Sequence, residues 1–423
     1  MFGARKPIGL SIIVMGTLGL CARARAETGA PATAAPASPS NEDCLACHAE
    51  QVERAGGGSL PAVGHAFAGS VHGQLDMACT DCHADLQGKD LPHPVKLAAP
   101  DCAQCHEEAV KAYDQSVHAG ARRLSPTSQA ARCIDCHGVH DILSSKDPNS
   151  RTYHFNVAAT CSKCHANQAV FASSRTPAAN IPAQFRDSIH GRALNQSGLL
   201  VAPNCATCHG NHAIRRASDE QSEVNRRNIP KTCGSCHEGI RNVYETSVHA
   251  AALRAGNPRA AVCSDCHTAH DTQAADQSFK MTLVSECGTC HQESMRTFRD
   301  TFHGKVSALG FARAATCADC HDAHGILPKS NPRSTVSDAR RVETCRKCHA
   351  GATPMFSQYD PHADAHSRAH DPALFYVTRA MKLLLISVFA FFGLHTIMWL
   401  GRSLVPVRKA RTARTEGKLD GDG

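Results

Sequence analysis

Aromatic side chains are scarce in this chain of 423 residues: they make up 5%, with one tryptophan and five tyrosines. Strand-forming runs are sparse too, so a sheet-based core of aromatic and β-branched side chains is excluded. Long apolar runs occur twice, at Ile8–Leu20 and Leu383–Leu400, and the 362 residues between them have none. The formal charge of +7 is concentrated at the two ends. Without those ends the polypeptide is near neutral, which leaves nucleic-acid binding without support.

What the chain does have is cysteine, 23 in all. Twenty-two fall into eleven copies of Cys-x-x-Cys-His, beginning at Cys44, Cys79, Cys102, Cys133, Cys161, Cys205, Cys233, Cys263, Cys287, Cys317 and Cys345. Random placement at this composition would give about 0.08 such motifs, so chance is excluded. The second thiols are Cys47, Cys82, Cys105, Cys136, Cys164, Cys208, Cys236, Cys266, Cys290, Cys320 and Cys348. Two thiols at this spacing can each add to a haem vinyl group. The next histidine then stands beneath the iron as proximal ligand. These histidines are His48, His83, His106, His137, His165, His209, His237, His267, His291, His321 and His349. A disulfide framework does not require a histidine after every second cysteine. Zinc knuckles need further ligands per metal, and thioredoxin-like chemistry uses one motif rather than eleven. The expected cofactor is therefore covalent haem c, eleven per chain.

The motifs repeat in pairs. Each pair is introduced by an aromatic residue, then Ser or Thr, an apolar residue and a histidine, as in FAGSVH, YDQSVH, FRDSIH, YETSVH and FRDTFH. These end at His72, His118, His190, His249 and His303, and the pairs that follow start at 79/102, 133/161, 205/233, 263/287 and 317/345. In four units the first motif continues as Cys-His-x-x-His, adding His140, His212, His270 and His324; in the first unit the nearest candidate is His93. Two further histidines per two haems is the number that bis-histidine ligation needs. Which histidine serves which haem is not legible. For the leading haem at Cys44 the expected distal ligand is His65, with His154, His362, His366 and His370 as spares that serve equally well as surface residues. The expected fold is mainly α and irregular, with short helices and long loops packed round a haem array, plus one transmembrane helix. Short helices are expected near Glu107–Gln115, Glu238–Thr246 and Gln292–Thr301.

At the N-terminus, Arg5 and Lys6, the first apolar run and Ala24-Arg25-Ala26 read as a signal peptide over 1–26, which removes the odd Cys21. Residues 27–41, rich in Ala, Pro and Ser, read as a flexible leader, and 42–370 as a periplasmic haem domain of five two-haem repeats plus one leading haem. The second apolar run implies a transmembrane helix over 374–401, with Lys382 at one end. Arg402, Arg408, Lys409, Arg411 and Arg414 follow it, so the positive-inside bias assigns 402–423 to the cytoplasm. His395, inside this span, is a candidate for a shared haem b, for a quinol site, or for a hydrogen bond to a neighbouring helix.

The paired motifs, the S-V-H-G/A openings and the C-H-x-x-H signature resemble the multihaem c-type cytochromes with doubled motifs over residues 42–350. That resemblance implies closely placed, low-potential haems that pass electrons along a chain. The segment FYVTRAMKLLLISVFAFFGLHTIMWLGRSL resembles the first helix of a quinol-oxidising cytochrome b. It implies a membrane cytochrome b or quinol dehydrogenase as partner, with a periplasmic acceptor or reductase downstream. An oxidoreductase of nitrite, hydroxylamine or a sulfur compound would need one iron with an open position. Every motif here ends in histidine, and further histidines are sufficient for all, which favours an electron-transfer subunit with no catalytic residue of its own.

Overall fold

In the computed structural model, residues 38–50, 52–53, 59–60, 62–94, 96–125, 127–171 and 180–416 are described. The segments expected as signal peptide and most of the leader, Cys21 included, lie outside them, as do residues 417–423. The chain divides into two units, one of residues up to 65 with 76–101, the other of 66–75 with everything from Cys102 onward. Both are helical and irregular. Strand structure among the described residues is one antiparallel pair, Val52–Glu53 with Ser59–Leu60.

In the smaller unit, helix Asn41–His48 carries the first motif and Cys79–Cys82 the second. Asn41 joins them: its amide donates to the Met77 carbonyl at 3.0 Å and its Oδ1 accepts from the Cys79 N–H at 2.7 Å.

The larger unit repeats a local design dictated by the opening sequence. Ser116, Ser188, Ser247 and Thr301 are N-caps of helices Val117–Leu124, Ile189–Asn195, Val248–Arg254 and Phe302–Ala308. Each hydroxyl accepts from the N–H three residues on, at 3.0–3.1 Å. All four are buried, so the cap is worth about 1–2 kcal/mol. The histidine of each opening is thereby fixed in the first turn. The residue after it must be small. At Gly191 and Gly304 an added Cβ would collide with the carbonyls of Phe185 and Phe298. The two tyrosine openings place buried Ala119 and Ala250 there instead. In those repeats the ring also gains a polar anchor: Tyr113 Oη donates to the Ala131 carbonyl at 2.7 Å, and Tyr244 Oη to Ala261 at 2.8 Å. The helices carrying these aromatics are Ala103–Asp114, Ile181–Asp187, Glu238–Tyr244 and Gln292–Asp300, close to the three expected from sequence. His106 interrupts the first (φ −110°, ψ 42°), so its regular part starts at Glu107, as expected.

Motif spacing decides the loop between the two haem motifs of a repeat. Where it is 28 residues, the loop folds on itself: Asn156 Nδ2 donates to the Pro148 and Ser150 carbonyls, and Asn228 Nδ2 to those of Glu220 and Ser222, all at 2.8 Å. In the shorter fourth repeat this loop is replaced by helix Gln277–Cys290, capped by Asp276.

The larger unit lacks a conventional apolar core. Apart from alanines, its buried apolar side chains among the described residues are Leu194, Tyr244, Val262, Met295 and Phe298. The interior is a continuous cavity of about 2440 Å³, lined by most of the motif cysteines and histidines between Cys102 and His321. The last helix, Pro372–Glu416, is exposed over Pro372–Leu404 except at the half-buried Phe375 and Thr378, and that stretch is long and apolar enough to cross a membrane. It begins two residues before the expected 374, and its apolar part runs three residues beyond 401. The helix itself continues to Glu416, into the segment expected as tail.

Candidate haem sites

The first motif of each pair folds as one helical turn, closed by its own third residue. The Oδ2 atoms of Asp135, Asp265 and Asp319 accept from the N–H groups of Arg132, Val262 and Thr316, each at 2.7 Å. Asp81 does the same for Ala78 in the smaller unit, at 2.7 Å. Thr207 and Asn204 exchange equivalent bonds in the third repeat. These carboxylates hold the two thiols on one turn. The sequence reading passed over them, although Asp in C-x-D-C-H recurs four times. Two are tied further to the preceding repeat, Asp265 to Arg226 at 2.6 Å and Asp319 to Lys280 at 2.9 Å. After the motif histidine the chain turns through a left-handed residue: Gly138 (φ +95°), Gly210 (+79°), Thr268 (+60°) or Asp322 (+70°). That turn aims the histidine two positions later away from its own motif.

Imidazoles then face each other in pairs. In the larger unit the ring centroids of His72 and His106, His118 and His165, His190 and His237, His249 and His291, and His303 and His349 lie 6.0–6.3 Å apart. So do those of His137 and His212, His209 and His270, His267 and His324, and His321 and His362, at 6.0–6.1 Å. In the smaller unit His48 faces His93 at 6.0 Å. Rings stacked face to face in van der Waals contact would be closer, at about 3.5–4 Å. Two metal–nitrogen bonds of about 2.0–2.1 Å, with about 1.1 Å from each nitrogen to its ring centre, put collinear imidazole centroids about 6.3 Å apart. The residues fit haem iron between each pair. Burial, then the facing histidine, lowers the pKa of His118, His137, His190, His209, His249, His267, His303 and His321. A lowered value favours the neutral imidazole, the form that binds a metal.

The pairs have a register. The opening histidine faces the second motif of its own repeat. The C-H-x-x-H histidine faces the first motif of the preceding repeat. Backbone bonds enforce the second rule: the N–H groups of Val71, Val117, Ile189 and Val248 donate at 2.7–2.9 Å to the carbonyls of Ile142, Ile214, Thr272 and Ile326, each two residues past such a histidine. His93, not His65, stands opposite His48, and His65 is exposed. Among the spares, His362 faces His321. His154 instead bonds the Ala202 carbonyl and Asn204, at 2.8 and 3.2 Å. His366 and His370 approach carboxylates at 3.8–4.0 Å. His83 closes the helical turn of its motif in the smaller unit, and His140 lies in the turn after His137 in the larger.

Successive motifs meet in chain order. Thiols of consecutive repeats lie close enough to shift one another in the pairs Cys161–Cys205, Cys233–Cys263 and Cys287–Cys317, and Cys44–Cys79 do so in the smaller unit. Within a repeat, Cys136, Cys208, Cys266 and Cys320 have thiols pushed up by burial and also by proximity to Cys164, Cys233, Cys287 and Cys345. These seven links run without a break from the motif at Cys133 to the motif at Cys345.

Three family models match the chain: outer membrane cytochrome MtrC/MtrF-like, domains II/IV, over 127–304; cytochrome c3 over 71–166; and the doubled CXXCH motif over 310–353. Among curated proteins, the multiheme cytochrome MtrA of Shewanella baltica (strain OS185) is 24% identical over 170 residues, covering 38% of this chain and 46% of that relative. The chain thus spans about half the length of the relative it matches. No solved structure matches.

Proposed function

We propose that this chain, a multihaem c-type cytochrome with an apolar C-terminal helix suited to anchoring it in a membrane, carries electrons through eleven bis-histidine haems from a quinol-oxidising membrane partner to a periplasmic or outer-membrane acceptor. The observation that carries this reading is the set of ten histidine pairs at 6.0–6.3 Å among the described residues. Iron held by imidazole on both sides exchanges single electrons and leaves no position for a substrate. The protein's part is to fix each ring pair, to keep the imidazoles neutral and to set the order of motifs. Because motifs meet in chain order, electrons in the larger unit pass from the motif at Cys345 toward that at Cys133. The helix from Pro372, which follows the motif at Cys345, supports a donor at that end. The basic residues after the span support a periplasmic haem domain. His395 within the span offers an imidazole to a haem b or quinol of the partner.

A pyridine haemochrome assay together with the mass of the mature protein tests the count. About eleven haems per chain, low-spin in the ferric state, are expected. A markedly smaller count, or a high-spin signal of whole-haem intensity in the purified parent protein, refutes the array as described. Reconstitution with a quinol dehydrogenase tests the donor: absence of haem reduction by quinol would remove that part alone.

A further inference from the structure

His321 belongs to the fifth repeat, and no Cys-x-x-Cys-His motif follows His349. Residues 350–371, between that motif and the last helix, therefore hold no C-H-x-x-H histidine of the usual kind to partner it. His362 takes the place, 6.1 Å from His321 between centroids. It differs from its counterparts in how it is held. His212, His270 and His324 each sit three residues from a motif histidine, so a covalently attached haem anchors their loop. The opening histidines ride on capped, buried helix starts. His362 has neither support and lies in a turn-rich stretch without helix.

Polar contacts from helix Gln292–Asp300 replace those supports. Arg296 grips Asp364 with both terminal nitrogens, Nη1 to Oδ1 at 3.0 Å and Nη2 to Oδ2 at 2.6 Å, and Asp364 is 5% exposed. The next residue, Thr297, is 4% exposed and has Oγ1 at 3.1 Å from His362 Nδ1. The Thr297 hydroxyl donates to the Ser294 carbonyl at 3.1 Å, so its lone pair is free to accept from Nδ1–H. That fixes the tautomer and leaves Nε2 for a metal. Below the latch, Asp364 N–H donates to Asp371 Oδ2 at 2.9 Å, and the Asp371 carbonyl accepts from Phe375 in the membrane helix at 2.9 Å.

We propose that Arg296, Thr297 and Asp364 are positioning residues that seat His362 on the iron carried by Cys317, Cys320 and His321, and that this axial ligand is the one in the larger unit that yields first. The inference rests on the haem-array reading above and adds a site to it. With the latch open, that iron accepts a small neutral ligand such as carbon monoxide, and the open state is tied to the segment entering the membrane helix.

The test uses the full-length holoprotein in detergent, reduced with dithionite and titrated with carbon monoxide, with ferric high-spin electron paramagnetic resonance alongside. His362→Ala is expected to bind about one carbon monoxide per chain. Arg296→Met and Thr297→Val are expected to raise the apparent affinity on the order of tenfold over the parent. Arg296→Lys should fall between, and Thr297→Ser should restore parental behaviour. If His362→Ala binds no more than the parent, the ligand assignment is wrong. If it binds one equivalent but Arg296→Met and Thr297→Val match the parent, the latch is wrong. The haemochrome count on the same samples separates these outcomes from failure of the array itself, and a parental count shows that a variant has matured.

Discussion

Replacing Gly210 by alanine should loosen a ligand on a haem to which Gly210's own motif does not belong. Gly210 has φ +79° and ψ 177°, a region essentially closed to residues with a Cβ. A Cβ there would meet nothing within 4 Å, so the penalty is backbone strain alone. Such strain costs about 1–3 kcal/mol. Thr268 and Asp322 occupy the equivalent position with φ +60° and +70°, so the fold survives the cost and the lower half of that range applies. Gly210 lies between His209, which faces His270, and His212, which faces His137. His209 is fixed by its adjacent thioethers, so relief comes by moving His212. One to two kcal/mol corresponds to about a 5- to 30-fold shift in a two-state equilibrium. The predicted result is high-spin character at one haem of eleven, about 9% of the Soret intensity, with carbon monoxide uptake approaching one equivalent. Gly198→Ala supplies the control: φ is +63°, a Cβ again meets nothing, and no ligand loop follows it. The double variant Gly210→Ala with His270→Ala reads the register. It should affect two haems, because His270 faces the motif at Cys205 whereas Gly210 acts on that at Cys133. The reasoning is refuted if Gly210→Ala gains no more carbon monoxide binding than Gly198→Ala, or if the double variant alters only one haem.

Other predictions follow from the same local rules. Ser188→Ala removes a 1%-exposed cap whose Oγ accepts from Gly191 and donates to Phe185, so thermal unfolding should show a loss of about 1–2 kcal/mol; an unchanged midpoint would contradict it. Tyr244→Phe loses only the bond to Ala261 and should cost about 1 kcal/mol by the same measurement, with the visible spectrum unchanged. Asp276 has a lowered pKa through its bonds from Ser278 and Phe279. Its cap is therefore fully present above the ordinary carboxylate pKa of about 3.9 and lost as pH falls through the lowered value. Amide exchange at 277–279 should accelerate only in that acid window, and Asp276→Asn should remove the pH dependence while keeping protection. Ending the chain at residue 371 should release the haem-loaded domain from membranes into the soluble fraction while His362 stays ligated, as shown by an unchanged low-spin spectrum.

The motif count, the covalent cofactor, the pairing of motifs and the short-helix architecture were determined by the sequence itself, because each is encoded within a few contiguous residues. Cys-x-x-Cys-His is its own attachment site, aromatic–x–x–Ser–x–His is its own helix cap, and the run from Leu383 to Leu400 is its own membrane solvent match. The partners of the histidines were not legible. A distal ligand is chosen by which imidazole stands opposite across a gap, and for the first motifs of the second to fourth repeats that imidazole comes from the next repeat. The decision rests on backbone bonds such as Val117 to Ile214, nearly a hundred residues apart in sequence. His65 is the choice that proximity along the chain suggests, yet His93 faces His48, and His362 stands in the sequence only as a spare candidate because its supports, Arg296 and Thr297, lie more than sixty residues earlier. Local covalent chemistry is written in the order of residues. Ligation across repeats is set by packing, which only the tertiary fold decides.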